Sequence, residues 1–224
     1  MRVVSGPIGK ERIHFEAPPA ERIGQEMDHF LDWWHSSKGN IEGLVRAAVC
    51  HFWFVTIHPF EDGNGRIARA LTDMAFAQDD GQRQRYFSMS SQIMRERNSY
   101  YDILEASQKG TCDITQWLVW FLECFSRAIE NSEKVLSGIT AKAAFWRRHA
   151  QVSLSERQRK VINRLLDAGQ GGFEGGLTTR KYASMTRVSK PTAYREISDL
   201  LERGILRQNP GRGRSVSYDL VWPE

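Results

Sequence analysis

Apolar residues recur at helical spacing through most of the first 150 residues. In residues 21–35 they fall on one face, and in residues 41–57 they occur nearly all round, as in a helix buried at the centre of a domain. Pro59 ends this second helix. The same spacing predicts four more helices, over residues 64–78, 98–108, 113–136 and 139–149. The pattern therefore predicts a mainly α-helical body.

A short segment before the first helix has a different pattern. Residues 9–19 alternate in character and end in two prolines, so they predict an exposed hairpin or strand rather than a helix. The helical body should therefore carry one small β element near its start.

Residues 151–224 follow another order of elements. Helices are expected over residues 155–168 and 179–185. A third helix begins with Ser189 as its N-cap and has Pro191 in its first turn. The C-terminal third therefore predicts three helices of its own.

Two short strands, residues 205–207 and 216–220, follow these helices and flank a tip rich in Gly, Pro and Arg. Three helices followed by a hairpin resemble a winged helix-turn-helix, in which the third helix and the wing contact DNA. The residues in those places are Lys190, Arg195, Arg212 and Arg214.

Composition narrows the class of protein. The chain has 224 residues, of which 41% are hydrophobic, and no apolar run approaches the roughly 18–20 residues that a membrane span needs. The first residues lack a secretory signal, and three cysteines without CxxC spacing argue against a disulfide framework or a zinc cluster. We therefore expect a cytoplasmic protein that has no membrane partner.

The charge is distributed unevenly. Residues 151–224 carry 13 Lys and Arg against 8 Asp and Glu, whereas residues 1–150 carry 18 against 19. A basic C-terminal part suggests nucleic acid as a partner, although ordinary solvated surfaces show similar surpluses. Glu196, Asp199 and Glu202 also place three acids on the supposed recognition helix. Charge alone therefore leaves DNA binding open.

The most informative segment is HPFEDGNGR, at residues 58–66. Gly63 and Gly65 flank Asn64 just before a predicted helix, so several backbone N–H groups can turn toward one point. The N-terminus of that helix adds positive charge, as do two arginines on one of its faces, Arg66 and Arg69. The segment therefore predicts a phosphate-binding site.

Two residues of this segment could carry chemistry. Asp62 is a hard oxygen ligand in a positive field, which suits a Mg²⁺ ion shared with polyphosphate oxygens. His58 follows the buried helix directly and is a candidate general base.

The segment matches the Fic-domain signature, His-Pro-Phe-x-Asp-Gly-Asn-Gly-Arg, at every fixed position, and the resemblance extends over roughly residues 9–136. It implies a compact, mainly α Fic-type domain with a small β-hairpin flap, followed here by a small winged-helix domain. The implied domains are residues 1–140 (flap about 9–19, motif 58–66), a connecting helix or linker at 141–154, and the winged helix-turn-helix at 155–224.

The resemblance implies transfer of AMP from ATP to a Ser, Thr or Tyr hydroxyl of a protein, either a separate target or the chain itself. His58 would be the base that takes the hydroxyl proton, and Asp62 would hold the Mg²⁺ ion that bridges the α- and β-phosphates. Pyrophosphate would be the leaving group.

The resemblance also implies nucleotide and target contacts. Arg66 would neutralise the departing pyrophosphate and Arg69 would reach the γ-phosphate, while Gln108 stands where relatives often have Asn. The residues implied to bind nucleotide are Gly63, Asn64, Gly65, Arg66, Arg69, Tyr101 and Gln108, and those implied to form the target-docking edge of the flap are Ile13, His14 and Phe15.

Several alternatives stay open. The chain could be a DNA-binding regulator with the Fic body as a nucleotide sensor, or a Fic enzyme that uses UTP, GTP or a phosphocholine donor or that removes AMP. Many Fic proteins are inhibited by a glutamate in a small helix, which in one usual arrangement lies before the flap. Only about eight residues precede the flap here, too few for such a helix. We therefore expect a fragment or alternative start that lacks this segment, or inhibition by a partner in trans; a homodimer is also open.

Overall fold

A computed structural model describes residues 2–5, 12–80, 85–211 and 216–222. The chain divides into two compact units, Met1–Ser132 and Glu133–Glu224, and the division falls inside a long helix. Each unit has its own hydrophobic core.

The first unit is helical, with one small hairpin at its start. Strands β1 (Arg2–Ser5) and β2 (Arg12–Glu16) pair antiparallel. The helices that follow are α1 (Ala20–Ser36), α2 (Gly43–Ile57), α3 (Asn64–Asp80), α4 (Met89–Arg95), α5 (Arg97–Lys109) and α6 (Thr115–Arg148). The predicted mainly helical body with a small β element is confirmed.

Helix α2 lies at the centre of the first unit because it is apolar on nearly every side. Ten of its 15 residues are buried. The carboxylate of Glu42 caps its first turn by accepting a hydrogen bond from the N–H of Val45, at 3.0 Å. Trp117 of α6 donates its indole N–H to the carbonyl of Ala48, at 2.8 Å. The core therefore fixes α2, and the motif follows directly after the C-terminal end of this helix.

Two helix predictions differ from the structure. Residues predicted as two helices, 113–136 and 139–149, form the single helix α6. Gly138 does not break it, because glycine costs only about 1 kcal/mol in a helix interior. Helix α4 was not predicted: Ser88 caps it by accepting a hydrogen bond from the N–H of Ser91, but its seven residues are too few to show a period.

Beyond its part of α6, the second unit contains, within the described residues, three helices and two paired strands in the predicted order. They are α7 (Glu156–Ala168), α8 (Thr179–Thr186) and α9 (Lys190–Glu202), followed by the antiparallel strands β3 (Leu206–Gln208) and β4 (Tyr218–Leu220). Its assignment as a winged helix-turn-helix, like the predicted domain limits, stays a prediction.

Local capping explains where two of these helices begin. Ser155 and Gln158 form a reciprocal capping box at the start of α7. Ser189 caps α9 by accepting a hydrogen bond from the N–H of Thr192, as its position before Pro191 predicts. None of the helices within the described ranges combines the length and apolar character that a membrane span requires.

Candidate active site

His58 ends α2 and begins the motif loop. Its backbone is left-handed, with φ 51° and ψ 56°, a conformation that costs a non-glycine residue about 1–2 kcal/mol. The side-chain Nδ1 lies 3.2 Å from the carbonyl oxygen of Val55. A carbonyl can only accept, so in the neutral imidazole Nδ1 carries the proton and Nε2 keeps its lone pair. His58 is therefore arranged to accept a proton at Nε2.

The side chain of Asn64 closes the loop. It is 3% exposed. Its Oδ1 accepts a hydrogen bond from the N–H of Phe60 at 3.0 Å, and its Nδ2 donates to the carbonyl of the same residue at 2.6 Å. The amide of Asn64 is therefore engaged with the loop backbone, and its phosphate contact stays a prediction.

The two motif glycines leave room for the two arginines. Gly63 has φ 87°, which favours glycine, and a Cβ there would lie 3.4 Å from Nη2 of Arg66. A Cβ at Gly65 would lie 3.4 Å from Nη1 of Arg69. A Cβ at either position would only touch the end of a flexible arginine side chain, so the left-handed φ of Gly63 is the stronger reason for glycine there.

The charged side chains of the site make only weak interactions with other residues. Arg66 and Asp62 form an ion pair at 3.0 Å with side chains 72% and 92% exposed, and such a pair contributes at most about 1 kcal/mol. Asp62 also accepts a hydrogen bond from the N–H of Gly63, at 2.6 Å. Arg69 is half-buried and has no carboxylate partner in the described part of the chain. Both guanidinium groups can therefore turn to an anionic ligand.

The motif faces an open pocket of about 350 Å³. Three side chains from α4 and α5 form the other wall: Met94, Arg97 and Tyr101. Tyr101 is 50% exposed, and the guanidinium carbon of Arg97 lies 5.6 Å from the centre of its ring. Of the predicted site residues, the pocket brings together His58, Asp62, Gly63, Asn64, Gly65, Arg66, Arg69 and Tyr101.

Sequence reasoning missed three residues that line this pocket, Glu61, Met94 and Arg97. The one local signal for Arg97 is its place four residues before Tyr101, which puts both on one face of α5. Met94 belongs to the helix that was not predicted. Of the far wall, only Tyr101 was predicted from the sequence, whereas Met94 and Arg97 could be found only from the folded chain.

Gln108 is not among the side chains that line the pocket. Its Nε2 donates a hydrogen bond to Oγ1 of Thr56, at 3.1 Å, near the end of α2. A base contact would require this amide to turn away from Thr56, so that contact stays a prediction.

The predicted flap, residues 9–19, contains only β2, and its partner β1 lies at Arg2–Ser5, among the residues that were expected to precede the flap. The register shifts between Val3 and Val4, which pair with Phe15 and Ile13. Phe15 is half-buried, whereas the side chains of Ile13 and His14 lie outside the described residues. Docking of a target on this edge stays a prediction.

The expected Mg²⁺ ion fits a shared site better than a site made by protein alone. No group of three or more His, Cys, Asp or Glu side chains suited to a metal occurs in the described ranges. Mg²⁺ is commonly held by one or two carboxylates together with substrate phosphates and water. The exposed carboxylate of Asp62 fits an ion that arrives with a polyphosphate.

The predicted DNA contacts are only partly described. Lys190 and Arg195 are exposed on α9, and Tyr194 between them in sequence is 60% exposed. Arg212 and Arg214 lie outside the described residues.

Two of the three acids on α9 are bound within the second unit. Glu196 accepts a hydrogen bond from Nε of Arg157 at 2.9 Å and one from the hydroxyl of Tyr182 at 2.7 Å. Asp199 accepts hydrogen bonds from Arg203 and Gln158, each at 2.7 Å. These carboxylates are therefore neutralised by residues of the same unit.

Comparison with known proteins gives a family match over the N-terminal part of the chain. Residues 3–76 match the model of the Fic/DOC family. Protein adenylyltransferase Fic of Aedes aegypti is 32% identical over 105 residues, which cover 46% of this chain and 19% of that protein. Protein adenylyltransferase Fic of Nematostella vectensis is 32% identical over 115 residues, which cover 50% of this chain and 25% of that protein.

One further relative and one solved structure are also similar to this chain. Protein adenylyltransferase fic-1 of Caenorhabditis elegans is 38% identical over 76 residues, which cover 32% of this chain and 15% of that protein. The matched parts thus span a quarter or less of these relatives. A crystal structure of a Fic family protein from Desulfovibrio desulfuricans G20 is 21% identical and covers 96% of this chain and 59% of that chain, with a TM-score of 0.46. The family match and the sequence relatives support a Fic/DOC domain that includes residues 3–76, and with them the motif at residues 58–66.

Proposed function

We propose that the chain is a protein adenylyltransferase, which moves AMP from ATP to a hydroxyl side chain of a protein and releases pyrophosphate. The names of the relatives in Aedes, Nematostella and Caenorhabditis support this reaction. The observation that carries it is the bond from Nδ1 of His58 to the carbonyl of Val55, which leaves Nε2 as a base in a pocket with two arginines.

The proposed reaction is an in-line displacement at the α-phosphorus. Nε2 of His58 takes the proton of the target hydroxyl, the hydroxyl oxygen forms a bond to the α-phosphorus, and the bond to the β-phosphate oxygen breaks. The positive charges of Arg66 and Arg69 stabilise the pyrophosphate that leaves. Positioning and charge neutralisation supply most of the rate enhancement in such transfers.

Asp62 would hold the Mg²⁺ ion that accompanies ATP. The ion would supply further neutralisation of phosphate charge. Asp62 would exchange its 3.0 Å ion pair with Arg66 for this role, which would leave the guanidinium available to a phosphate. Because this exposed pair is weak, the exchange costs little.

The wall formed by α4 and α5 would receive the nucleoside. The half-exposed ring of Tyr101 offers a face on which a base can stack, and Arg97 lies beside it. A segment of the target protein would pair as an additional strand with β2, the strand that contains Ile13, His14 and Phe15.

The test is incubation of the protein with Mg²⁺, α-labelled ATP and a protein lysate. His58→Ala should abolish labelling. His35→Ala is a matched control, because Nδ1 of His35 also lies against a carbonyl, that of Leu31 at 2.7 Å, but on the exposed side of α1. If the two variants label protein equally well, His58 is not the base.

A second candidate function is DNA binding by the second unit. The internal bonding of Glu196 and Asp199 favours it, because it leaves the exposed part of α9 near its start to Lys190, Tyr194 and Arg195. A basic and aromatic helix face is suited to phosphates and base edges.

Fluorescence anisotropy with duplex DNA at several salt concentrations tests this second function. Arg195→Ala and Lys190→Ala should weaken binding and reduce its salt dependence, whereas Lys160→Ala, which removes an exposed charge from α7, should change it less. Equal losses in all three variants would point to non-specific charge attraction.

A further inference from the structure

A chain of hydrogen bonds crosses the core of the first unit between α5, α2 and α3. The hydroxyl of Tyr100 lies 2.9 Å from Nε2 of His51, and Nδ1 of His51 lies 2.9 Å from Oγ1 of Thr72. Oγ1 of Thr72 donates to the carbonyl of Ala68, at 2.9 Å. His51 and Thr72 are fully buried and Tyr100 is 4% exposed. The proposed reaction uses none of these side chains.

The direction of every bond in this chain is determined. Thr72 has one hydroxyl proton and gives it to the carbonyl of Ala68, so its oxygen accepts from Nδ1–H of His51. Nε2 of His51 then accepts the proton of Tyr100. Burial, and secondly the nearby charge of Arg69, lower the pKa of His51 to about 3, which keeps the ring neutral.

The two ends of this chain lie next to the two walls of the pocket. Thr72 and Ala68 belong to the same turn of α3 as Arg69, which lines the motif wall. Tyr100 precedes Tyr101 on α5, and their ring centres are 5.2 Å apart. Hydrogen bonds are directional, whereas the hydrophobic effect is not. The chain therefore sets the rotation and axial position of α3 relative to α5.

We propose that Tyr100, His51 and Thr72 are positioning residues that hold Arg69 and Tyr101 at the separation a nucleoside triphosphate requires. This inference rests on the proposed function. Tyr100, His51 and Thr72 touch no substrate themselves. They act by holding helices α3 and α5, which carry Arg69 and Tyr101. A loss of the chain should therefore raise KM for ATP more than it lowers kcat.

Thr72 offers an isosteric test. Thr72→Val keeps the shape and removes the hydroxyl, and it should raise KM for ATP about tenfold, since one misplaced polar contact is typically worth that much. Thr72→Ser keeps the hydroxyl and should stay close to wild type. Tyr100→Phe should act like Thr72→Val, and it keeps the test available if the valine variant fails to fold.

A matched control separates positioning from stability. Ser99→Ala removes the acceptor of a 2.8 Å hydrogen bond from Trp120, one residue from Tyr100 on the same helix. It should lower the melting temperature and leave KM for ATP unchanged. If Thr72→Val and Tyr100→Phe also lower the melting temperature but keep a wild-type KM for ATP, the hydrogen bonds from Tyr100 to Thr72 serve stability alone. This inference is then overturned, while the proposed function stands. If the wild-type protein neither binds ATP nor transfers AMP, the proposed function fails and the inference fails with it.

Discussion

Replacement of Asn64 by alanine should loosen the motif loop and slow AMP transfer together. The side chain is 3% exposed and makes two hydrogen bonds to the backbone of Phe60, at 3.0 and 2.6 Å. Each such bond contributes about 0.5–1.5 kcal/mol, so the free energy of unfolding should fall by about 1–3 kcal/mol. Because Phe60 is 48% exposed, water can replace part of the loss, and the lower half of that range is expected.

Asn64→Asp makes the test sharper. It preserves the acceptor for the N–H of Phe60 but places a second acceptor oxygen against the carbonyl of that residue, where Nδ2 now donates at 2.6 Å. Two acceptors repel each other, so the aspartate variant should be at least as unstable as alanine although it is closer in shape. Urea unfolding and the rate of label transfer from α-labelled ATP measure the two effects.

Asn40→Ala is the matched control for both variants. Nδ2 of Asn40 donates one hydrogen bond to the carbonyl of Ser36, at 2.7 Å, in an exposed turn outside the site. It should lower stability slightly and leave transfer unchanged. An Asn64→Ala protein with wild-type stability and wild-type transfer would refute the reasoning.

Three further predictions concern other parts of the fold. Asp62→Asn should leave the melting temperature almost unchanged, because its ion pair is exposed, yet reduce transfer more than tenfold at about physiological Mg²⁺; a shared loss of both would contradict this. Arg127 donates two 2.7 Å hydrogen bonds to Glu96, and these bonds lower the pKa of that carboxyl. The ionised carboxyl of Glu96 therefore stabilises the fold above the ordinary carboxylate pKa, and this stabilisation is lost as the pH falls through the lowered pKa. In a profile of the free energy of unfolding against pH, measured with urea, Glu96→Gln should therefore show a smaller loss of stability in acid. Gly138→Ala should stabilise the chain by about 0.5–1 kcal/mol in thermal melting, because its Cβ would meet nothing within 4 Å in the helix α6; a lower melting temperature would show an unrecognised constraint there.

Features with a local cause were predictable from the amino-acid order. Helix α3 begins at Asn64, where the predicted helix begins, and α2 ends at Ile57 before the proline of the motif. Ser189 caps its helix as predicted, and Ser155, the first residue of a predicted helix, proves to be the cap of α7. Local caps and periodicity therefore locate most of the helices.

Features that depend on distant partners were not predictable. Arg97 reaches the pocket only because α5 folds against the motif, and no periodicity marks it as a site residue. The bond between His51 and Tyr100 joins positions 49 residues apart, and a histidine within an apolar helix gives no sign of its partner. Helix α6 continues through Gly138 because the cost of one glycine, about 1 kcal/mol, is small beside the contacts that the rest of this long helix makes.

The identity of the transferred group is the central claim, and two labels on one donor test it directly. The protein is incubated with Mg²⁺ and lysate, in parallel with ATP labelled at the α-phosphate and with ATP labelled at the γ-phosphate. Kinases of the lysate transfer the γ-phosphate by themselves, so the label that counts is the part lost in His58→Ala. The account predicts that His58→Ala abolishes label from the α-position and leaves label from the γ-position unchanged. A His58-dependent label from the γ-position would mean phosphoryl transfer, and no His58-dependent label from either donor would mean that ATP is not the donor; either result would contradict the account.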